Sequence, residues 1–274
     1  LVGGADGVAK DLAYSALSNG KHVVTANKAL IAHHGNELAY LAEEHNVCLA
    51  YEASVAGGIP IIKVLREGMA GNRINKIVGI LNGTSNYILT AMEETGRSFD
   101  KILSEAQDLG FAEADPSFDV DGIDAAHKLA IISSLAFGIK IDFKNVFTEG
   151  IRCVSPIDVD FAETLGYGVK LLGIAERGPQ GVQQRVHPCM VRKDSPINHV
   201  SGVFNGISIQ GSPIGTTMYE GQGAGSGPTA SAVISDLIDI ARGTIVPAFG
   251  VRSKDLIFAD SISSYVVSYH YRIC

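Results

Sequence analysis

The chain has 274 residues, 46% hydrophobic and 19% charged, with a formal net charge of -7 at pH 7. This composition is typical of a globular protein with a sizeable core, in one large or two modest domains, and it excludes a disordered chain. The acidic balance without a long basic run argues against nucleic acid or an anionic membrane as a partner, and no apolar run is long enough to span a bilayer.

The cysteines are scattered along the chain. Their spacing matches neither a zinc site nor a redox motif, and so few cysteines in a chain of this length are typical of reduced thiols in a cytoplasm. They are Cys48, Cys153, Cys189 and Cys274.

Helices and strands alternate in the first part of the chain. The spacing predicts helices over 9–19 and 35–45 and buried strands over 22–25 and 47–51, with His33 and His34 as a solvated pair in a loop. This alternation predicts parallel strands with right-handed crossovers, whose ligands bind beyond the carboxyl ends of the strands, where Lys28 and Glu52 lie. No Gly-x-Gly-x-x-Gly sequence follows a strand near the start, so we expect the chain to begin inside a dinucleotide-binding domain.

Glu52 is followed by two glycines and Pro60, which predict a turn before a helix that ends at about Gly68. Such a turn can direct backbone carbonyls at one point, and the Glu52 carboxylate would complete an oxygen cluster for a hard cation. An ordinary strand–turn–helix connection with Glu52 facing water explains the same residues. The residues alone leave both interpretations open.

The middle and end of the chain predict a second sheet. A strand over 73–81 is followed by a turn over 82–86, a helix to about residue 95, and a helix over 99–109. That turn either lines a substrate site through its amides and hydroxyls or only caps a helix. Strands over 169–175, 182–186, 206–210 and 216–219 extend the sheet. A glycine-rich loop over 221–230 precedes a helix over 231–241, and residues 263–274 are predicted as a last strand.

The stretch 110–128 has the richest chemistry. It begins as a polar loop that contains Glu113 and ends in a helix, where Asp124 and Lys128 are four residues apart and share one face. A lysine beside carboxylates can transfer a proton, and the carboxylates can hold a substrate ammonium group. Alternatively, Asp124 and Lys128 form a solvated ion pair on the helix surface, which would stabilise the protein by only about 0.3 kcal/mol.

Five motifs, within residues 22–28, 52–60, 79–87, 110–128 and 223–231, give the chain a close resemblance to the homoserine dehydrogenase family. The resemblance covers residues 1 to about 243. It implies an α/β fold, with a partial Rossmann-like nucleotide-binding domain followed by an α+β substrate and dimerisation domain. The implied boundaries are 1–60 for the nucleotide part, 61–225 for the second domain, 226–250 for a return helix and 251–274 for the start of a possible C-terminal extension.

The resemblance implies NAD(P)-dependent interconversion of L-homoserine and L-aspartate 4-semialdehyde in threonine, methionine and isoleucine biosynthesis, by a cytoplasmic homodimer or higher homo-oligomer. The family's glycine-rich phosphate loop is expected to be absent, so the alternative is a non-catalytic remnant that keeps the dimerisation and substrate regions. The choice between NAD and NADP is left open. The implied roles are Lys128 as proton donor and acceptor, Glu113 and Asp124 for the substrate, Ala26, Lys28, Gly110 and Gly225 for the cofactor, and Glu52 with backbone oxygens of Val55, Gly57 and Ile59 for a structural sodium ion.

Overall fold

The computed structural model describes residues 2–179 and 181–259, so the strand predicted over 263–274 lies outside the described residues. The helices are α1 Val8–Ser18, α2 Lys28–Glu44, α3 Ile61–Lys63 with a π-helical continuation Val64–Gly68, α4 Gly83–Thr95, α5 Phe99–Asp108, α6 Ser117–Val120, α7 Ile123–Phe137, α8 Pro156–Thr164 and α9 Ser226–Ala241. The strands are β1 Val23–Val24, β2 Leu49–Ala50, β3 Arg73–Ile80, β4 Phe147–Thr148, β5 Tyr167–Gly178, β6 Gly181–Arg192, β7 Phe204–Ser212 and β8 Gly215–Gln222.

The first strands form a two-stranded parallel sheet, in which Val23 is opposite Leu49. This pairing confirms the parallel arrangement predicted from the alternating elements. The crossover helix α2 begins at Lys28, seven residues before the predicted start at 35. The side chain of Asn27 is its N-cap and accepts the N–H of Leu30 at 3.0 Å.

His33 and His34 therefore lie inside α2, and their placement in a loop was wrong. The predicted helix started at Gly35, but this glycine lies inside α2, where it allows close packing. A Cβ at this position would lie 2.9 Å from Cδ1 of Ile141, and the ring of Phe249 is also close. The glycine is thus explained by its neighbours in space and not by a turn.

The second sheet has the strand order β4-β6-β5-β3-β7-β8. Strand β3 pairs antiparallel with β5 on one side and β7 on the other, which confirms that the later strands extend the sheet begun at residues 73–81. Strand β5 is longer than predicted, because it is buried on both faces through most of its length and lacks the alternation of a half-exposed strand.

Two helices after residue 138 were missed or predicted too short. Helix α8 carries a capping box between Ser155 and Asp158 with Pro156 in its first turn, a signal that the sequence contains. Helix α9 begins at Ser226, five residues before the predicted start at 231, because Pro228 is tolerated in a first turn.

Helix α7 connects the two parts of the fold. It contacts α2 on one side and strands β3, β5 and β6 on the other. Thirteen of its fifteen residues are buried, as expected for a helix that is apolar on nearly all sides. Polar side chains at the start of α7 therefore lie inside the protein.

Among the described residues, no helix is both long and apolar enough to cross a membrane.

Candidate active site

Asp124 and Lys128 occupy the first two turns of α7. The Lys128 ammonium donates to Oδ2 of Asp124 at 2.7 Å, so the spacing of four residues forms the predicted ion pair. The pair is not solvated, because the side chain of Asp124 is 2% exposed and that of Lys128 is 11% exposed. The interpretation as a surface pair is therefore wrong.

Lys28 is the second ammonium group at this carboxylate. Its Nζ lies 2.8 Å from Oδ1 of Asp124 and 5.3 Å from the ring centroid of Phe118. Burial alone would raise the pKa of Asp124, but the charges of Lys128 and Lys28 outweigh it and lower the pKa to about 2. Asp124 is thus an anion across the physiological pH range. It can fix two lysines but is not suited to donate a proton.

The end of strand β3 completes the surroundings of the pair. The amide of Asn82 donates to Oδ2 of Asp124 at 2.8 Å and to Asp119 at 2.7 Å, while its oxygen caps α4. The carbonyl of Leu81 accepts from the Lys128 ammonium at 2.8 Å. A lysine ammonium has three donors. Within the part of the chain that the structure describes, Asp124 and Leu81 take two of the Lys128 donors, which leaves the third for a ligand.

Glu113 and Gly110 do not join this cluster. The Glu113 side chain is exposed and forms no hydrogen bond or ion pair with another described residue, and its backbone oxygen accepts from Gln107 at 3.0 Å. Gly110 lies just beyond α5 with a φ of 75°, also exposed. The structure therefore brings together Lys28, Asp124 and Lys128 but leaves the other two predicted residues on the surface.

The two glycine-rich segments predicted from the sequence are neighbours. The N–H of Gly58 donates to the carbonyl of Gln222 at 2.8 Å, and a Cβ at Gly57 would lie 3.2 Å from the Gly223 oxygen. Gly225 is the N-cap residue before α9 and has a φ of 115°, a conformation that favours glycine. Ala26 and Lys28 follow β1, at the carboxyl end of the small parallel sheet. This is the edge at which such sheets bind their ligands.

Glu52 does not face water, so the interpretation as a solvated connection residue is wrong. The residue is 2% exposed, and its carboxylate accepts the N–H groups of Ile62 and Lys63 at 2.9 and 3.0 Å. Burial raises the pKa of Glu52 to about 7. The described residues contain no group of three or more histidine, cysteine or acidic side chains suited to a metal. The Glu52 carboxylate is nevertheless a buried oxygen ligand, the type of ligand that a hard cation prefers.

Sequence reasoning assigned none of three further groups to the site. Leu81 lies in the motif over 79–87, but nothing there marks its backbone oxygen, and Asn205 is a lone strand asparagine that looks like any other. Asp119, which accepts from Asn82, was not assigned to the site either. The pairing of β3 with β7 brings Asn205 to Leu81, and this pairing follows from the tertiary structure.

The fold and the site define a two-part α/β protein, in which a small parallel sheet adjoins a mixed sheet and two lysines share one buried aspartate. Residues 2–52 match the family model for the NAD-binding domain of homoserine dehydrogenase, and residues 60–238 match the homoserine dehydrogenase model. The chain therefore belongs to the homoserine dehydrogenase family.

Relatives of known identity are similar over most of the chain. The homoserine dehydrogenase of Pseudomonas aeruginosa is 54% identical over 242 residues, which are 88% of this chain and 56% of that protein. That of Neisseria gonorrhoeae is 52% identical over 239 residues, 87% of this chain and 55% of that protein. The chain thus spans about half the length of these relatives.

Solved structures show the same fold. A homoserine dehydrogenase from Thiobacillus denitrificans superposes with a TM-score of 0.91 at 49% identity, covering 94% of this chain and 61% of that chain. A hyperthermophilic archaeal homoserine dehydrogenase in complex with NADPH gives a TM-score of 0.76 at 34% identity, covering 86% of this chain and 69% of that chain.

Proposed function

We propose that this chain carries the catalytic region of a homoserine dehydrogenase, which interconverts L-homoserine and L-aspartate 4-semialdehyde with NAD or NADP. The observation that carries the proposal is the buried carboxylate of Asp124 held between the ammonium groups of Lys28 and Lys128. Family membership supports the choice of substrate. The NAD-binding domain match over residues 2–52 supports a nicotinamide cofactor.

Lys128 is the proposed proton donor and acceptor. Reduction of an aldehyde develops negative charge on its oxygen, which an ammonium group can stabilise and protonate; in the reverse direction the lysine takes the hydroxyl proton. The carbonyl of Leu81 and the carboxylate of Asp124 fix the direction of the Lys128 ammonium. The nicotinamide, when bound, supplies or accepts the hydride.

The two predicted substrate carboxylates have different proposed parts. Both oxygens of Asp124 already contact lysine ammonium groups, so its part is to orient Lys128 beside the substrate. The Glu113 carboxylate has no such partner among the described residues, which leaves it available for the ammonium group of the amino-acid substrate. We assign the cofactor to Ala26, Lys28, Gly110 and Gly225, because two of them lie at the sheet edge and the glycines allow close approach of a ligand.

A structural sodium ion is proposed for Glu52 with the backbone oxygens of Val55, Gly57 and Ile59. Support comes from the burial of the Glu52 carboxylate in a turn, where a cation would compensate its charge.

The family resemblance supports a homodimer or higher homo-oligomer in a cytoplasm. An exposed apolar stripe along α8 and its C-cap is a surface of the kind that oligomers bury, and it is formed by Ile157, Phe161 and Leu165. Sedimentation analysis tests the oligomeric state.

The first experiment measures homoserine-dependent reduction of NAD and NADP by the purified, folded chain. The Lys128→Ala variant should lose at least about a hundredfold in kcat while still binding homoserine, because it removes the proton-transfer group and not the substrate contacts. The matched control is Lys21→Ala, which changes an exposed lysine that is not one of the proposed site residues.

Glu113→Ala should raise KM for homoserine as well as slow the reaction. A Lys128→Ala variant with a near-normal rate would remove this lysine from the chemistry. A folded chain that binds homoserine without turnover would instead support the non-catalytic alternative.

A further inference from the structure

Asn205 is a buried polar residue to which the mechanism above gives no part. It lies on β7, is fully buried at 0% exposure, and donates from Nδ2 to the carbonyl of Leu81 at 3.1 Å. The same carbonyl accepts from the Lys128 ammonium at 2.8 Å. One backbone oxygen therefore joins the asparagine to the proposed proton-transfer group.

Leu81 lies just beyond the strand pairing. The pairing of β3 with β7 ends at Ile80, which is opposite Gly206, so Leu81 is the first residue beyond the ladder. The side chain of Asn205 supplies a hydrogen bond there that the strand pairing no longer gives. The orientation of the amide is fixed as well, since a reversed amide would set its oxygen against the Leu81 oxygen.

The other side of Asn205 packs on the glycine-rich loop before α9. A Cβ at Gly223 would lie 2.1 Å from Oδ1 of Asn205 and 2.3 Å from its Cγ, so the amide occupies the space of a side chain at 223. Gly223 is close in turn to Gly57. Asn205 thus contacts both the loop proposed to approach the cofactor and the carbonyl that orients Lys128.

The amide oxygen of Asn205 has no hydrogen-bond partner among the described residues, although it is buried. A buried acceptor without a partner costs free energy, whereas an apolar side chain of similar shape would fill the space without that cost. Packing alone therefore does not account for an asparagine at this position. Only the amide N–H of Asn205 is hydrogen-bonded, and it donates to the Leu81 carbonyl, which also accepts from Lys128.

We propose that Asn205 is a positioning residue for Lys128. Its amide packs against Gly223 and holds the Leu81 carbonyl in place. The proposal rests on the proposed function, because Lys128 is the proton-transfer group there. Without the amide, the carbonyl of Leu81 can tilt, and the ammonium loses one of its two fixed acceptors. The chemical step suffers, while contacts to the substrate remain.

The first test replaces Asn205 with leucine, which has similar shape and leaves no new buried polar group. We expect kcat to fall about tenfold with KM for homoserine changed by less than about twofold, the pattern of an interaction that acts in the chemical step. The control is Asn36→Leu, since the Asn36 side chain likewise bonds a backbone segment, at Ile141, which is not part of the proposed site. This control should lower stability and leave kcat unchanged.

The second test is a double-mutant cycle between Asn205 and Gly223. The added methyl group of Gly223→Ala collides with the amide, so this variant should impair kcat at least as much as Asn205→Ala does. Asn205→Ala removes the atoms that collide, so the double variant should match Asn205→Ala alone. Additive effects would show that the two residues do not act through one contact.

A crystal structure of the Asn205→Leu chain gives a readout that does not need turnover. We expect the distance from Lys128 Nζ to the Leu81 oxygen to exceed about 3.5 Å. This is longer than the upper limit of roughly 3.2 Å for a good N–H···O hydrogen bond. If the unsubstituted chain shows no turnover, the proposed function fails for this chain. The position of Lys128 in the crystal structure then tests the role of Asn205 by itself. Unchanged kcat with an unmoved lysine would overturn the proposal; if the leucine variant does not fold, Asn205→Ala is measured in its place.

Discussion

Asp124→Asn is the substitution that tests the site most directly. Asparagine keeps the shape of the side chain but removes the charge that Lys28 and Lys128 share at 2.8 and 2.7 Å. Lys28 is 33% exposed and can turn its ammonium group to water, whereas Lys128, at 11%, cannot do so without leaving its pocket. The loss should therefore come mainly from Lys128, which becomes a buried charge without a counter-ion.

The size of the effect follows from the titration of Asp124. The two lysines lower its pKa from 3.8 to about 2 despite its burial. A difference of this size corresponds to about 2 kcal/mol in favour of the ionised folded form. This stabilisation is present above the unfolded pKa near 4 and is lost as the pH falls through about 2. Adding the cost of an unpaired Lys128, we expect the asparagine variant to lose about 2 to 4 kcal/mol at pH 7.

The assay is urea unfolding at pH 7, compared with Asp121→Asn. Asp121 also pairs with a cation, Arg152, but the two side chains are 38% and 44% exposed, so their ion pair should contribute less than about 1 kcal/mol. A loss in Asp124→Asn no larger than that in Asp121→Asn would refute the view that one buried anion holds both lysines. The measurement needs no turnover and is independent of the proposed reaction.

Three further predictions concern stability. Burial lowers the pKa of His127 to about 4, so stability should fall as the pH drops from 6.5 through about 4, and His127→Leu should flatten this part of a pH series of unfolding curves. The raised pKa of Glu52, about 7, means that stability is lost as the pH rises from 4.5 through about 7; sodium chloride should therefore raise the Tm more than choline chloride above pH 7, and Glu52→Gln should abolish the difference. Gly35→Ala should cost about 1 to 3 kcal/mol because its methyl group meets the core, whereas Gly227→Ala, which meets nothing within 4 Å, should stabilise by about 0.5 kcal/mol in the same urea assay.

Features set by local geometry could be predicted from the sequence. The contact between Asp124 and Lys128 follows from their spacing on a helix, and the parallel pairing of β1 and β2 follows from the alternation of elements. The burial of the pair was left open, although α7 continues as an almost wholly apolar helix. Such a helix has no polar face to present to water, so the sequence already favoured burial.

Local signals failed where the neighbours in space decide the residue. The predicted helix started at Gly35, yet α2 begins at Lys28, and Gly35 packs inside it against Ile141, which is far along the chain. The late start placed His33 and His34 outside α2. The capping box at Ser155 shows the opposite case, since the signal for α8 was local and complete. It was missed because short apolar runs around it suggested strands.

The two carboxylates of the central stretch show how far residue type can be taken. The sequence assigns Glu113 and Asp124 the same part, because both are acidic and close to Lys128 along the chain. In the structure Asp124 is saturated by two lysines and Asn82, while Glu113 is exposed on its loop. A carboxylate whose oxygens are already engaged has little left to offer a substrate ammonium group, whereas an exposed one can bind it at small cost in desolvation. The division of roles proposed for them therefore rests on burial and partners, which only the folded chain provides.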